Sequence, residues 1–293
     1  DTDNTLDLTD DIIDNPDDNI IEEASDTEEV PDIDEETDVE EEPNIEEEPE
    51  IVYQSEFRLP GKINQDSTYD TTEDTRDPDG IYYDKKVYLT FDDGPTMHTD
   101  DILDILAQYN VKATFFVIGH EDDVSKERYK RIVNEGHVLA IHSYSHKYQD
   151  IYKSIENFDK DFTKLWNLLY DTTGYTPTLY RFPGGSLGFL GRSKMKEYVR
   201  YLDEKGMTYY DWNVVNGDAE GKNYTEEQMI DNVLNGVARK KTSIVLMHDG
   251  EGKHKTVATL PDILDALISG GAEVLPMDET VPLIQQIKAS SLK

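Results

Sequence analysis

From residue 81 onward, apolar and polar positions follow two periods in turn. Apolar, β-branched or aromatic runs at 86–91, 111–118, 137–142, 178–182, 207–213, 242–248 and 273–277 predict strands. Amphipathic stretches near 99–109, 125–135, 154–170, 193–205, 225–239 and 257–269 predict helices between them. Asn110, Gly136, Gly174, Gly206 and Gly270 stand where those helices should stop. Residues 280–290 are a candidate seventh helix. Alternation of this kind implies an α/β fold with parallel strands and right-handed crossovers. The segment is short for an eight-fold barrel, which takes ~250 residues. An incomplete, seven-stranded β/α barrel is therefore expected rather than an open doubly wound sheet. No internal repeat stands out.

Residues 1–50 break this pattern. They hold 25 Asp or Glu, no Lys or Arg, no aromatic residue, and four prolines, Pro16, Pro31, Pro43 and Pro49. Isolated apolar residues among repelling charges cannot offset chain entropy, so a disordered acidic tail is expected. It reads as a solvated spacer, or more sharply as a stalk or a weak cation-binding segment. Residues 51–80 read as a linker with a turn at Asp77-Pro78-Asp79-Gly80, and 81–293 as the globular domain.

Charge changes the list of partners. The chain has 293 residues and a net charge of -36, of which the first 50 residues supply 25 negative charges. Nucleic acid and anionic lipid are excluded as electrostatic partners. No glycine-rich phosphate loop follows a strand, so no nucleotide is expected. The absence of cysteine removes disulfides, thiolate metal sites and Cys nucleophiles. No run approaches the ~18 apolar residues of a membrane span. The chain begins at Asp1, and any signal or membrane or cell-wall anchor is expected upstream.

In β/α folds chemistry gathers where strands end. The first predicted strand ends in Asp92-Asp93-Gly94-Pro95. Adjacent side chains leave a strand on opposite faces, so the two acids can divide metal binding from proton transfer. A turn with two solvated acids would look the same. The third runs into His142-Ser143-Tyr144-Ser145-His146. On a helical turn, histidines at this spacing share one face with Cβ atoms about 5–6 Å apart. Two His and one Asp leave a coordination position open, the pattern of a catalytic zinc-like site. The fourth ends in Arg181-Phe182-Pro183-Gly184-Gly185, where Arg can clamp a carboxylate and the turn can present N–H groups to an oxyanion. Asp211-Trp212 ends the fifth, and Trp212 reads as a sugar platform or as core. The sixth delivers His248 to its tip as a candidate acid or base. His98, His120, His137 and His254 read as ordinary structural histidines, although His98 and His254 follow site-bearing strands.

Five motifs in this order, Thr90-Phe-Asp-Asp-Gly94, His142-Ser-Tyr-Ser-His146, Arg181-Phe-Pro-Gly-Gly185, Asp211-Trp212 and Leu246-Met-His248, resemble the polysaccharide deacetylases, the NodB-homology domain of carbohydrate esterase family four. The resemblance spans about 81–290. It implies a deformed (β/α)7 barrel and one divalent metal, zinc or cobalt, held by Asp93, His142 and His146. By the same resemblance Asp92 is the general base and Arg181 holds it in place. His248 is the acid that protonates the leaving nitrogen, and Asp211 pairs with His248. Trp212 and Leu246 line the acetyl pocket, and the Gly184 N–H faces the oxyanion beside the metal. The third motif commonly carries a second Pro and an aromatic where Phe182 and Gly184 stand, so a more open groove is expected. Ile141 replaces a frequent Asn before His142, so that wall should differ.

The resemblance thus implies a monomeric, metal-dependent de-N-acetylase acting outside the cell or at its surface on an N-acetylated glycan, first of all peptidoglycan N-acetylglucosamine. Alternatives are an O-acetyl xylan esterase, a chitooligosaccharide deacetylase, or a catalytically silent carbohydrate-binding module.

Overall fold

The computed structural model describes residues 76–188 and 190–289. The expected acidic tail and most of the linker lie outside the described residues. The turn at Asp77–Gly80 is present, closed by the Gly80 N–H on the Asp77 carbonyl at 3.1 Å.

The sheet forms from β1 (Lys86–Asp92), β2 (Thr114–Ile118), β3 (Val138–Ser143), β4 (Leu179–Tyr180), β5 (Thr208–Tyr209), β6 (Val214–Val215), β7 (Thr242–His248) and β8 (Glu273–Val274). Every pairing is parallel, in the order β5-β4-β3-β2-β1-β7-β6. β7 runs along one side of β1. On the other side β8 pairs with Lys86 and Val87 while β2 pairs with Thr90 to Asp92. This curled parallel sheet is the deformed (β/α)7 barrel, with one more short strand, β6, than the sequence predicts. The expected runs at 178–182, 207–213 and 273–277 pair over two residues only.

The helices are α1 (Met97–Gln108), α2 (Asp123–Asn134), a single turn α3 (Tyr148–Ile151), α4 (Ile155–Thr173), α5 (Gly191–Glu204), α6 (Glu226–Ala238) and α7 (His254–Ser269). Local chemistry starts them. Thr96, Asp122, Ser154 and Thr225 cap orphan N–H groups of α1, α2, α4 and α6. The candidate helix at 280–290 is a correction: its residues to 289 are irregular. They run beside β5, held by the Tyr210 hydroxyl on the Val281 carbonyl and the Asp211 N–H on the Ile284 carbonyl.

Strand period sorts the core into two layers. Val87, Leu89, Phe91, Phe115, Val117, Leu139, Ile141, Val245 and Met247 face the helices. Tyr88, Phe116, Ala140, Leu179, Tyr210 and Ile244 face the barrel interior with Met277 and Val281. Asp92, His142 and His248 share the parity of that interior set, so the period that builds the core also aims these three side chains inward.

Candidate active site

A cavity of about 330 Å³ lies at the C-terminal ends of the strands, lined by Asp92, Asp93, His142, His146, Trp212, Leu246 and His248 among others. Asp92 is the last residue of β1 and is in register with His248, the last of β7. Neighbouring strands lie about 4.8 Å apart, so the two stand side by side at the cavity floor.

Asp93 does not leave on the opposite face as strand geometry predicts. Its backbone turns left-handed, with φ 76°, and both acids line the same cavity. His142 and His146 do not share a helical turn either. His142 is the penultimate residue of β3, and His146 lies beyond the strand at φ 52°. The loop between them is shaped by Asp161 of α4. One Asp161 oxygen accepts from the Ser143 hydroxyl and the Tyr144 N–H at 2.9 and 2.7 Å. The other accepts from the Ser145 N–H and hydroxyl at 2.9 and 2.7 Å. The Ser143 hydroxyl in turn receives the His146 N–H at 2.8 Å.

Asp93, His142 and His146 offer ligand atoms all within 4.8 Å of one another. The Asp93 Oδ1 lies 3.5 Å from His142 Nε2 and 3.3 Å from His146 Nε2. That oxygen is buried and has no hydrogen-bond partner. The other nitrogen of His142 meets the Arg181 carbonyl at 2.7 Å, which turns Nε2 toward Asp93. Burial and the neighbouring His142 press the His146 pKa below its ordinary value, favouring the neutral, ligating form. An orphaned carboxylate oxygen beside two convergent imidazoles fits a divalent ion of the zinc class.

Arg181 is fully buried behind the floor. Its Nη1 donates to Asp92 Oδ1 at 2.8 Å and to the Thr90 hydroxyl at 2.7 Å. Its Nε donates to the Tyr210 carbonyl at 3.2 Å, and the guanidinium stacks 4.1 Å from the Phe116 ring centre. The charge is therefore paired and its donors are used, as burial requires.

The partner of His248 is Asp218, not Asp211. His248 Nδ1 is 2.7 Å from Asp218 Oδ1, and the His248 N–H donates to Asp218 Oδ2 at 2.8 Å. Thr256 donates its hydroxyl to the same carboxylate at 2.7 Å. Burial opposes charge on His248, but the Asp218 hydrogen bond and carboxylate, helped by Asp92 and Asp93, raise its pKa above the ordinary value. Burial likewise resists ionisation of Asp218, and His248, Thr256 and Lys253 outweigh it, so that carboxyl sits low. Asp211 is committed elsewhere. It accepts from the Ser186 N–H, the Ser186 hydroxyl and the Gln286 N–H, tying the 183–186 turn to the C-terminal segment. The sequence reading chose the acid next to Trp212, whereas the chain reaches His248 through the later Gly217-Asp218 loop after β6. Asp218 carries no motif of its own beside an aromatic, and only the β6–β7 pairing brings it there.

Trp212, Leu246, Phe182 and Gly184 line the cavity. Gly184 has φ 78°, and a Cβ there would stand 2.9 Å from the Tyr148 ring. Tyr148 thus fills the place beside Gly184, so the expected opening of the groove carries an aromatic wall that sequence reading missed. Ile141 points into the outer core and does not form a site wall. Among the remaining histidines, His137 is buried, accepts the Ala113 N–H at 3.1 Å, and has its pKa driven down to about 4 by burial, a structural role.

The sequence pattern of the polysaccharide deacetylase family matches residues 80–209. A peptidoglycan-N-acetylglucosamine deacetylase of Bacillus cereus is 33% identical over 193 residues, covering 64% of this chain and 68% of that protein. A bifunctional xylanase/deacetylase of Pseudobutyrivibrio xylanivorans is 32% identical over 200 residues, covering 67% of this chain and 30% of that protein. The crystal structure of the catalytic domain of a peptidoglycan N-acetylglucosamine deacetylase from Eubacterium rectale superposes with a TM-score of 0.65 at 36% identity, covering 74% of this chain and 97% of that one.

Proposed function

This chain belongs to the polysaccharide deacetylase family of hydrolytic enzymes, and on that premise we propose that it removes N-acetyl groups from peptidoglycan N-acetylglucosamine at the cell surface. The observation that carries the reading is the in-register pair Asp92 and His248 at the floor of one cavity, beside the Asp93, His142 and His146 donor set.

Hydrolysis of an acetamide consumes one water and yields acetate and an amine. It needs a base for water, charge stabilisation at the acyl oxygen, and a proton for nitrogen. Asp92 is the base. Arg181 donates to Oδ1 and fixes the carboxylate, leaving Oδ2 to accept the proton from the attacking water. A divalent ion, zinc or cobalt, held by Asp93, His142 and His146 supplies a Lewis acid that acidifies water and polarises the acyl oxygen. His248 is the acid. Asp218 accepts from Nδ1, so Nε2 presents its proton to the leaving nitrogen as the C–N bond breaks. A carboxylate and an imidazole in different surroundings thus divide base and acid duties. Trp212 and Leu246 offer an apolar floor for the acetyl methyl, and the Gly184 backbone borders the place of the acyl oxygen. Removal of O-acetyl groups from xylan is the second reading, supported by the relative from Pseudobutyrivibrio.

The test is acetate release from N-acetylglucosamine oligomers and from acetylated xylan, before and after chelation, with zinc or cobalt restored. Release from the amide substrate that disappears with chelator and returns with metal is the expected outcome. Release from xylan alone would overturn the amide assignment.

A further inference from the structure

A second cavity of about 200 Å³ opens beside the first. Gly217 and Asp218 form their common wall. Lys222, Lys253, His254 and Lys255 line it, a basic cluster in a chain of net charge -36. The lysines come from two loops, one after β6 and one entering α7. Lys253 Nζ donates to the Asp218 carbonyl at 2.8 Å. Lys255 Nζ donates to Asn223 Oδ1 at 3.1 Å and to the Tyr224 carbonyl at 2.8 Å. Lys222 Nζ lies 5.9 Å from the Tyr224 ring centre.

These contacts orient the ammonium groups without neutralising them. An ammonium has three donors, so each lysine keeps at least one for a ligand. Among the described residues none of the three has a carboxylate at ion-pair distance. The Asp218 carboxylate bonds His248 and Thr256 and interacts at longer range with Lys253, and Glu220 bonds the Tyr224 hydroxyl, so Lys222 and Lys255 are the cations left for a ligand. The first turn of α7 borders the same cavity and has no side-chain cap, which adds the positive end of a helix to the field. Cations without a carboxylate at ion-pair distance, around a cavity that shares a wall with the proposed glycan site, call for an oxyanion on the same glycan.

We propose that this cavity is an anion subsite that holds a carboxylate carried by the unit next to the sugar being deacetylated. The proposal rests on the deacetylase reading above and narrows its substrate to an acidic glycan rather than a neutral one. The carboxylate comes either from the neighbouring sugar's own acid group or from a short peptide attached to it.

The experiment is calorimetric binding to the full chain carrying Asp92→Asn, with zinc present, so that no substrate is consumed. The probes are a neutral N-acetylglucosamine oligomer, an oligomer with lactyl carboxylates on alternate units, an oligomer bearing a short acidic peptide there, and amidated forms of both acidic probes. Tighter binding of one acidic probe than of its amidated form is expected, and the probe that shows it names the source. Adding Lys222→Gln with Lys255→Gln should weaken that probe about threefold to tenfold and the neutral oligomer less than about twofold. The matching pair of Arg substitutions should retain the preference. Equal binding of acidic and amidated probes, absence of binding included, overturns the subsite. So does an equal loss for charged and neutral probes in the Gln variant. Acetate release by the unaltered chain from the neutral oligomer is a separate measurement, so failure of the deacetylase reading is told apart from failure of the subsite.

Discussion

Asp92 and Asp93 are chain neighbours with different surroundings. Asp92 is 2% exposed and held by Arg181, while Asp93 keeps an unpartnered oxygen toward two histidines. Asp92→Asn should therefore cut turnover by about 10²- to 10⁴-fold while leaving zinc stoichiometry intact, as read by acetate release and elemental analysis. Loss of metal in that variant would show that the two acids exchange roles. His248 carries the pH dependence. Its pKa is raised in the folded protein, so the acid form persists to higher pH than a free imidazole, and activity falls as pH rises through that value. Asp218→Asn removes the hydrogen bond and the carboxylate that raise it most, leaving only Asp92 and Asp93 against burial, which lowers it. The alkaline limb of the pH profile should move to lower pH, together with a fall in kcat. An unmoved limb would mean that another group sets it. Asp211→Asn, by contrast, should leave the limb in place, since Asp211 serves Ser186 and Gln286.

At the scale of elements, strand period decides which way most of the site faces. Tyr88, Thr90 and Asp92 alternate with Val87, Leu89 and Phe91 along β1, and the first set is the inner one. The same count aims His142 on β3 and His248 on β7. Loops escape that rule. The 143–146 loop takes its shape from Asp161, nearly twenty residues away on α4, which accepts four hydrogen bonds from it. Asp161→Ala should lower zinc affinity about 10- to 100-fold in a competition assay, with far-UV circular dichroism unchanged. Unaltered affinity would show that the loop holds His146 without it. The candidate helix at 280–290 fails for a related reason. Its apolar spacing is satisfied by packing Val281 and Ile287 into the core as irregular chain along β5, and tertiary burial overrides the helical period.

Across the whole molecule, Arg181 joins the ends of β1, β4 and β5 beneath the cavity through Asp92, Thr90 and the Tyr210 carbonyl. Removing one partner of a buried pair leaves the other charge without compensation. Arg181→Met should cost about 3–5 kcal/mol in urea unfolding, in addition to its effect on turnover. A loss near zero would mean that water replaces the guanidinium. The distribution of charge acts at this scale too. The excess of acids is concentrated in the first 50 residues, while a lysine-lined cavity adjoins the site.

The sequence by itself determined the β/α order, the parallel sheet and the stops of its helices, and it placed Asp92, Asp93, His142, Arg181 and His248 at or beside predicted strand ends. These follow from periodicity and from which residues close each strand, both of which are local, while the resemblance to the deacetylases is what joined them with His146 in one site. Tertiary structure alone decided that Asp218 rather than Asp211 meets His248, that Tyr148 walls the cavity beside Gly184, and that Asp161 shapes the histidine loop. Each of those contacts joins segments whose separation is bridged by sheet pairing or helix docking, and no local pattern of apolar and polar residues encodes a distance across the barrel.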